Sequence, residues 1–489
     1  MIDADEASND PISGPSHIDA MVVDWHGCLR SKRLPLSQRD KLADGKVRLP
    51  LSTQAQDIGN DDRDELTGLA LSIGDPDGVY VIEPRTYRRQ PWNQGRGLQV
   101  LASLHGDDGQ PSDFDSRAIL RRQIARFAER GWRVVVAVEL EFYLLDRSTR
   151  DSGRPTVPAC LNIAGEAADI QLCEPRVMDR VDPFLARIHR YAEALELPAE
   201  TMLAEIGPGQ FEINLAHRAD PLHAVDDAVL FQRAVDRAAF DEGFIATFMA
   251  LPYTGHPGNG QHVHLSIIDA EGNNIFDASP RPNSPPALSH DSSASTIPSA
   301  ISSSTTTPSP ASSAPSSSAP SPQLTHAVAG LLDKLEETQL LFAPNGNSYR
   351  RLQPGEFAPC RADWGHDHRG VAIRLPETVG PGARLEHRVA GADANPYLVV
   401  AAIMAGVLQG LDNGRAPAID PRLPGETPAA RHLHHDWVAA IGDAEASPFL
   451  RDLLGERFLD AFVTIKRHEA SWFNRQVTET DWRVCLPRV

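Results

Sequence analysis

The chain has 489 residues, a formal net charge of −19 and five cysteines. This length allows two domains and a large buried core, and the acidic balance argues against nucleic-acid binding, which needs a basic face. The odd number of cysteines, without metal-binding or disulfide spacing, favours a reducing compartment. The acidic N-terminus lacks a signal sequence and no apolar run reaches spanning length, so we expect a soluble, cytoplasmic protein without a membrane partner.

The chain begins with a polar stretch, residues 1–16, which we predict to be a flexible N-terminus. Strand-like runs then predict a small strand-rich domain over residues 17–105. Apolar residues at helical spacing predict a helix from Ser116 to Arg130. Strands and helices alternate from there to a helical tail over residues 448–475, and residues 106–489 are predicted to form a second domain.

Two carboxylates interrupt a Val-rich run, Arg133 to Leu145, which predicts a buried strand. Glu139 and Glu141 stand two residues apart and therefore share one face of that strand. A second stretch repeats the arrangement, with Glu205 before a Pro-Gly turn and Glu212 on the returning strand. Like charges held together in a sheet are costly unless a cation neutralises them. Each acid alone could be an ordinary surface carboxylate, but the set predicts a metal site with hard oxygen ligands.

A glycine-rich approach precedes a strand that contains two histidines. Gly258 and Gly260 stand before His262 and His264, and glycine lets a substrate come close to the backbone. A histidine on an alternating strand is more often structural than a ligand, but this approach favours a ligand role for His262. Hard oxygen ligands suit Mg2+ or Mn2+, and a single imidazole among them favours tolerance of Mn2+.

Residues 279–322 differ in composition from the rest of the chain. Ser, Pro and Thr supply 31 of these 44 residues, so burial cannot offset the ordering entropy and we predict a disordered insert. A loop of this length costs little closure entropy. We expect a passive surface loop, with a phosphorylated regulatory tether as the alternative, followed by a helix from about Leu324 to Phe342.

Five stretches in this order resemble the glutamine synthetase family along nearly the whole chain: residues 138–142, 205–212, 258–266, 350–376 and 384–388. The resemblance implies ATP as a substrate and two or more Mg2+ (or Mn2+) ions per site, which act in phosphoryl transfer. It implies one metal held by three glutamates and another held by two glutamates and a histidine. The matching residues are Glu141, Glu205 and Glu212 for the first, and Glu139, His262 and Glu386 for the second.

The same resemblance assigns arginines and nucleotide contacts. Arg351 and Arg388, beside Gly258, match residues that grip the two ends of glutamate, because a guanidinium holds a carboxylate at two points. The positions that line the nucleotide and its phosphates are matched by His264, Ser266, Arg369, Arg374 and Arg384. We assign catalytic roles to Arg369 and Arg351, since cations stabilise charge that develops on a transferring phosphoryl group.

The amine-binding positions depart from the ammonia-using pattern. Glutamine synthetases usually read Pro-Gly-Tyr-Glu-Ala-Pro, and their glutamate deprotonates ammonium, whereas this chain has Phe357 at that position. The family's Asp-Gly-Ser-Ser loop is absent before Asp75, and Pro257 replaces a usual asparagine. Phe357 can flank an alkyl chain in an amine pocket but cannot accept a proton. The pattern therefore resembles the γ-glutamyl-amine branch, whose ligases join glutamate to a polyamine, ethanolamine or another monoamine.

In this family, ATP phosphorylates the side-chain carboxylate of glutamate, and an amine then displaces phosphate from the γ-glutamyl phosphate. Two alternatives remain: a glutamine synthetase that uses ammonia with Glu356 as the base, and a non-catalytic structural or regulatory relative. A scaffold has no need for six metal-ligand side chains and five arginines, and all are present.

The fold implied by the resemblance is α+β, with an N-terminal β-grasp domain and a catalytic domain in which helices flank an antiparallel sheet. It further implies self-association into a ring, doubled to a dodecamer. In such rings each active site forms between the N-terminal domain of one subunit and the catalytic domain of its neighbour.

Overall fold

The computed structural model describes residues 14–161, 171–279, 319–354, 358–423 and 430–486. Three predictions lie largely or wholly outside these residues: the flexible N-terminus, the disordered insert and the amine-pocket residue Phe357. The described residues contain two β-sheets and the helices that flank them.

The first sheet contains, among the described residues, the strands β1 (His17–Val23), β2 (Leu29–Pro35), β3 (Arg48–Pro50), β4 (Asp77–Ile82), β5 (Arg88–Arg89) and β6 (Gly97–His105). Its order is β2-β1-β6-β4-β3, with β5 paired to β6, and β1 and β6 run parallel. Ile18, Ala20 and Val22 contribute to a small core of its own, because alternate strand residues share a face. These strands lie within residues 17–105, and the division into two domains stays a prediction.

The second sheet contains, in the described part of the chain, β7 (Arg133–Asp146), β8 (Ala199–Ala204), β9 (Gln210–Leu215), β10 (Phe244–Thr247), β11 (Gln261–Ile268), β12 (Trp364–His366), β13 (Ile373–Glu377) and β14 (Arg384–His387). Its order is β12-β13-β14-β11-β7-β9-β8, and β10 pairs with β7. The pairs are antiparallel except β12 with β13, which run parallel. The long strand β7 is therefore the centre of the sheet.

The helices of the described residues are α1 (Arg39–Ala43), α2 (Asp64–Thr67), α3 (Ser116–Ala128), α4 (Thr149–Ser152), α5 (Pro175–Arg180), α6 (Asp182–Ala194), α7 (Pro221–Asp241), α8 (Pro322–Phe342), α9 (Ser348–Arg351), α10 (Pro396–Asn413), α11 (Trp437–Ala446), α12 (Pro448–Leu454), α13 (Glu456–Asn474) and α14 (Glu479–Cys485). Short 3-10 helices span Leu36–Gln38, Leu51–Gln54, Leu71–Ile73, Pro84–Thr86 and Pro91–Asn93. The predicted helix from Ser116 is confirmed as α3.

Helix α10 lies in the core of the molecule. It is long and apolar enough to span a membrane by length and composition, which corrects the expectation that no apolar run reaches that length, yet 78% of this window is buried inside the fold. Its Gly410 packs directly against α8, where an added Cβ would lie 2.1 Å from the His326 carbonyl oxygen. The apolar surface of α10 is therefore covered by the protein itself.

A buried polar network joins the first sheet to the core helices. Asp226 of α7 is fully buried and accepts hydrogen bonds from Arg117 Nε at 2.9 Å and Arg117 Nη2 at 2.8 Å. The Tyr397 hydroxyl of α10 donates to the same carboxylate at 2.6 Å, and Arg85, which follows β4, pairs with it as well. Removing one member would leave a buried charge without its partners.

Two helix boundaries differ from the predictions. Helix α8 begins at Pro322 rather than near Leu324, because Ser321 caps it by accepting a hydrogen bond from the Leu324 N–H. The predicted tail is divided into α12 and α13 at Gly455, whose φ of +91° lies outside the helical region. The described elements combine helices with mostly antiparallel sheets, so the predicted α+β class is confirmed.

Candidate active site

A cleft of about 1370 Å³ lies over one face of the second sheet. Alternate residues of three neighbouring strands line its floor, among them Glu139 and Glu141 of β7, Glu212 of β9, and His262 and His264 of β11. Side chains alternate between the faces of a strand, and the two-residue spacing therefore brings them to one side. Five of the six residues that the sequence predicted as metal ligands line this cleft, and the sixth, Glu386, is fully buried.

Three glutamates form one group on this floor. Glu141 stands directly opposite Glu212 in the antiparallel pairing of β7 with β9, and Glu205 follows the end of β8. One carboxylate oxygen of each lies within 4.8 Å of the others. This group contains the same three residues that the family resemblance assigned to the first metal.

A second group surrounds His262. His262 pairs in register with Glu139, and its Nδ1 lies 3.2 Å from Glu139 Oε2 and 3.9 Å from Glu386 Oε1. His264 also approaches Glu139, with Nε2 2.8 Å from Oε1. The three residues predicted for the second metal are therefore together, and His264 lies close enough to compete for Glu139.

The fold shifts the pKa values of these glutamates in opposite directions. Burial raises the pKa of Glu205 to about 7 and that of Glu212 to about 9, and the charges of neighbouring glutamates add to both rises. Burial also opposes ionisation of Glu139, but hydrogen bonds with His262 and His264 outweigh it and hold the pKa of Glu139 well below its usual range. For Glu386, burial is outweighed by the charge of Arg388, which lowers the pKa to about 2.

This arrangement fits divalent cations. Burial first, and then the charges of neighbouring glutamates, raise the pKa values of Glu205 and Glu212, and a cation bound between these carboxylates would offset both effects. Mg2+ and Mn2+ bind ligand sets made of carboxylate oxygens and one imidazole nitrogen. The described residues provide three overlapping groups of candidate ligands for hard metal ions: Glu141 with Glu205 and Glu212, Glu139 with Glu212 and His262, and Glu139 with His264 and Glu386. The first is the predicted set for one metal, whereas the predicted second set is divided between the other two groups.

Arginines border the floor on the side of β13 and β14. Arg374 Nη1 donates to Glu386 Oε2 at 2.7 Å, and Arg384 Nε donates to His264 Nδ1 at 3.3 Å. Arg369 is exposed at the cleft. The three arginines predicted for the phosphates thus lie along one side, next to the second ligand group, and Ser266 lines the cleft beyond His264.

Arg351 and Arg388, the arginines predicted for glutamate, also line the cleft. Arg351 is buried; its Nη1 donates to the Val389 carbonyl at 2.8 Å, whereas its Nε has no hydrogen-bond partner among the described residues. Arg388 pairs with Glu386 through Nη1 and donates from Nε to the Arg369 carbonyl at 3.0 Å. A buried guanidinium with an unused donor is suited to a carboxylate ligand.

Glycine is needed before β11 because the backbone there packs closely against Arg351 and His262. A Cβ on Gly258 would lie 2.4 Å from the Ala250 carbonyl oxygen and 2.8 Å from Arg351 Cγ. A Cβ on Gly260 would lie 2.6 Å from His262 Nε2. Any side chain here would displace the arginine or the histidine, so these glycines serve the packing of the site as well as access to the backbone.

Two acids of the site were not identified from the sequence. Asp367 Oδ1 accepts from Arg374 Nε at 3.1 Å, so Arg374 is shared between this exposed acid and Glu386. Asp393 accepts from Ser348 Oγ at 2.7 Å, and burial raises its pKa. Asp367 lies inside a stretch that resembled the family, but no signal in the sequence marks Asp393.

The predicted departures from the ammonia pattern are only partly described. Pro257 lines the cleft, and its carbonyl accepts a hydrogen bond from the Tyr143 hydroxyl at 2.7 Å. Asp75 lies before β4, with a φ of +44°. Phe357 and Glu356 fall outside the described residues, so the role of Phe357 in the amine pocket stays a prediction.

Comparisons with known proteins identify the family of this chain. The family model described as the glutamine synthetase catalytic domain matches residues 113–294 and 299–485. The γ-glutamylputrescine synthetase PuuA of Escherichia coli (strain K12) is 34% identical over 465 residues, which cover 95% of this chain and 90% of that protein. The γ-glutamylethanolamide synthetase GlnA4 of Streptomyces coelicolor is 32% identical over 437 residues, 88% of this chain and 84% of that protein.

A solved structure of GmaS without ligand shares the fold, with a TM-score of 0.77, 24% identity and coverage of 99% of both chains. The family match extends over most of the chain, and the resemblance carried by the five stretches is confirmed. The chain belongs to the glutamine synthetase family.

Proposed function

We propose that this protein is an ATP-dependent ligase that joins the γ-carboxylate of glutamate to an amine other than ammonia. The observation that carries the proposal is the cleft itself, where carboxylate-rich ligand groups lie beside the five arginines that the sequence predicted for the site. Relatives named for putrescine and ethanolamine as the amine support this choice of substrate class.

The glutamine synthetase family depends on ATP and divalent metal ions. We propose two Mg2+ or Mn2+ ions, one at Glu141, Glu205 and Glu212 and one at Glu139, His262 and Glu386. Bound there, the ions would neutralise charge on the phosphates of ATP. His264 and Ser266 would contact the nucleotide.

Glutamate is held by the buried arginine. In the proposed complex, the free Nε of Arg351 binds one carboxylate of glutamate, and Arg388 holds the other near the ligand groups. The tight packing of Gly258 against Arg351 keeps this guanidinium in one position. Fixing both ends of a flexible substrate converts a bimolecular encounter into a reaction between positioned groups.

The chemistry then follows in two steps. A γ-carboxylate oxygen attacks the γ-phosphorus of ATP, and ADP leaves as the γ-glutamyl phosphate forms. The amine nitrogen attacks the acyl carbon of the γ-glutamyl phosphate, and phosphate leaves with the bonding electrons. Arg369, Arg374 and Arg384 stabilise the charge on the transferring phosphoryl group, and the amine loses a proton as the amide forms.

Identity of the amine is the property that separates the candidates. We propose that Phe357 lines the amine pocket and excludes efficient use of ammonium, because it offers neither a negative charge nor a proton acceptor. A glutamine synthetase that uses ammonia through Glu356 is the second candidate, and a non-catalytic relative is the third.

One assay distinguishes these candidates. ADP release is measured with glutamate and either ammonium, ethanolamine, putrescine or spermidine, each at saturating Mg2+. We expect turnover with at least one organic amine to exceed turnover with ammonium by about tenfold or more, about 1.4 kcal/mol. The Glu139→Ala variant is the matched blank, because it lacks a proposed metal ligand.

Preference for ammonium would favour glutamine synthetase, and no glutamate-dependent ADP release with any amine would favour the non-catalytic relative. Mass spectrometry of the product identifies the amide that forms. These outcomes are mutually exclusive for the wild-type protein.

We also propose that the subunits assemble into a ring, doubled to a dodecamer, and that the protein is cytoplasmic. All five cysteines are free, which supports a reducing compartment. Light scattering coupled to gel filtration measures the mass of the assembly; a monomeric mass would contradict the ring.

A further inference from the structure

Arg422 lies against the loop that carries Arg369. Its backbone N–H donates to the Trp364 carbonyl at 2.7 Å, and Trp364 Nε1 donates to the Ile419 carbonyl at 3.1 Å. Its side chain donates from Nη1 to the carbonyl of Gly370, the residue after Arg369, at 3.0 Å. The chain segment before Arg422 is therefore attached to this loop by both backbone and side chain.

Asp363 connects the same guanidinium to the start of β13. Asp363 Oδ2 accepts from Arg422 Nη1 at 3.3 Å, and Oδ1 accepts from the Ala372 N–H at 3.1 Å. The Asp363 side chain is only 3% exposed, so water competes little for these bonds. The planar guanidinium can satisfy a carboxylate and a carbonyl together, which the single ammonium of lysine does less well.

Arg369 is held from the other side by Arg388. Arg388 Nε donates to the Arg369 carbonyl, whereas Arg422 donates to the next carbonyl along the chain. The Arg369 side chain is exposed at the cleft, and no hydrogen bond or ion pair engages it among the described residues. Two successive carbonyls are thus fixed while the guanidinium between them is free to meet a ligand.

We propose that Arg422 is a positioning residue: with Asp363 it holds the backbone after Arg369, and so directs the Arg369 guanidinium at the transferring phosphoryl group. The inference rests on the proposed function. The physical reason is that stabilisation of a transition state depends on placement, and a displacement of about 1 Å can lower a rate by about a hundredfold.

Direct contact with a substrate is the competing explanation, because Arg422 itself lines the cleft. A substrate contact made equally in the ground and transition states would raise KM and leave kcat unchanged. A positioning role acts through Arg369, so it lowers kcat and disappears once Arg369 is removed. Kinetics therefore separate the two roles.

The test compares Arg422→Ala and Arg422→Lys with Arg415→Ala, which removes an exposed arginine of the same segment. For Arg422→Ala we expect kcat to fall by about tenfold to a hundredfold and both KM values to change by less than about threefold. Arg422→Lys should lie between wild type and Arg422→Ala, and Arg415→Ala should match wild type.

A double-mutant cycle with Arg369→Ala gives the decisive result. Because both residues act at one point, the double variant should be no slower than Arg369→Ala alone. Additive losses, or an Arg422→Ala variant as active as Arg415→Ala, would overturn the inference. A rise in KM with unchanged kcat would assign Arg422 to substrate binding instead.

Hydrogen exchange of the folded variants supplies a readout that does not depend on turnover. Arg422→Ala should speed exchange of amides in residues 364–373 by about tenfold relative to Arg415→Ala, because the anchoring bonds are lost. Unchanged exchange there refutes the positioning role even if the wild-type protein proves inactive with every amine. Inactivity of the wild type by itself counts against the proposed function alone.

Discussion

Glu205 and Glu212 have raised pKa values that bear directly on metal binding. Each is a carboxyl group that burial and neighbouring charge keep partly protonated near neutral pH. Glu139 and Glu386, a few ångströms away, are held ionised by histidines and an arginine. Cation binding must therefore displace protons from one ligand group while the other is already charged.

The first prediction is that the metal-free protein loses stability as the pH rises from about 5 to about 9. Glutamate titrates near 4.5 in the unfolded chain, whereas folded Glu205 and Glu212 have pKa values of about 7 and about 9. The folded state thus binds more protons in this window, and the free energy of unfolding falls with pH. Thermal unfolding with a chelator measures the slope.

Glu139 and Glu386 add no slope in that window, because their lowered pKa values leave them ionised in both states. Glu212→Gln should flatten the slope, and the control Glu200→Gln, at an exposed site on β8, should not. Saturating Mg2+ should reduce the loss at high pH, since the ion replaces the protons. A slope equal in wild type and Glu212→Gln would contradict the assigned pKa.

The second prediction concerns Phe357. The change Phe357→Glu should raise turnover with ammonium, relative to the best organic amine, by about tenfold or 1.4 kcal/mol of barrier. The new carboxylate would bind a small cation and accept its proton, and the apolar wall would be lost. Turnover ratios in wild type and variant measure the effect.

Phe357→Leu is the matched control, because it shortens the side chain but keeps it apolar. It should retain the preference for an organic amine. If the ratio does not move in Phe357→Glu, or if wild type already prefers ammonium, Phe357 does not decide the nucleophile.

At the scale of elements, strand register assembles the site. The pairing of β7 with β11 puts His262 opposite Glu139, and that of β7 with β9 puts Glu212 opposite Glu141. A shift by one residue in any pair would turn the ligands of that strand to the opposite face. The strand register thus positions the metal ligands. The glycine-rich segment before β11, which contains Gly258, sets where that strand begins.

The third prediction tests this glycine-rich segment. Gly258→Ala should raise the KM for glutamate by about tenfold and lower stability by about 1–3 kcal/mol, because the added Cβ crowds Arg351 and the Ala250 carbonyl. Steady-state kinetics and thermal unfolding measure the two effects.

Gly442→Ala in α11 is the control, since a Cβ there meets nothing within 4 Å. It should leave KM unchanged and stabilise the helix slightly. Equal KM values for Gly258→Ala and wild type would show that Arg351 does not hold glutamate, or that the segment accommodates the added Cβ without moving Arg351.

At the scale of the whole molecule, the Ser/Pro-rich segment interrupts the sequence of the catalytic half. Both of its flanks are anchored to neighbouring structure. Ser279 Oγ accepts from the Gly380 N–H at 3.3 Å, and Ser321 Oγ donates to the Ile275 carbonyl at 3.4 Å. Both serines lie within residues 279–322, whose composition predicts disorder, and residues 280–318 of that stretch lie outside the described residues.

The fourth prediction is that replacing residues 280–318 with a short Gly-Ser linker changes turnover by less than about twofold and thermal stability by a few degrees at most. A disordered loop contributes little buried surface, so its loss should be nearly neutral. Activity and thermal unfolding of the shortened protein measure this.

Ser321→Ala in the shortened protein is the contrasting variant. It removes the cap of α8 and should cost about 1 kcal/mol. Insolubility of the shortened protein with Ser321 intact would show that residues 280–318 pack against the fold.

Local spacing along the chain was enough to predict which face of its strand each metal ligand occupies. Period-two spacing put Glu139 beside Glu141, and the amino-acid sequence alone was enough for the family resemblance, the α+β class and helix α3. These features depend on neighbours within a few residues, which composition and spacing encode directly. The extent of α12 and α13 was missed because one glycine with a positive φ ends a helix that the apolar pattern continues.

Which charged side chains meet could not be predicted from the sequence, because the partners lie on different segments of the chain. Arg374 is shared by Asp367 and Glu386, and Arg422 reaches Asp363 across 59 residues of chain. The opposite pKa shifts of Glu139 and Glu212 likewise depend on burial and on partners from other strands, which no local pattern records. The length and hydrophobicity of α10 would also fit a membrane span, because hydrophobicity alone does not say what covers a helix. Its burial against α8 shows that the protein itself covers it.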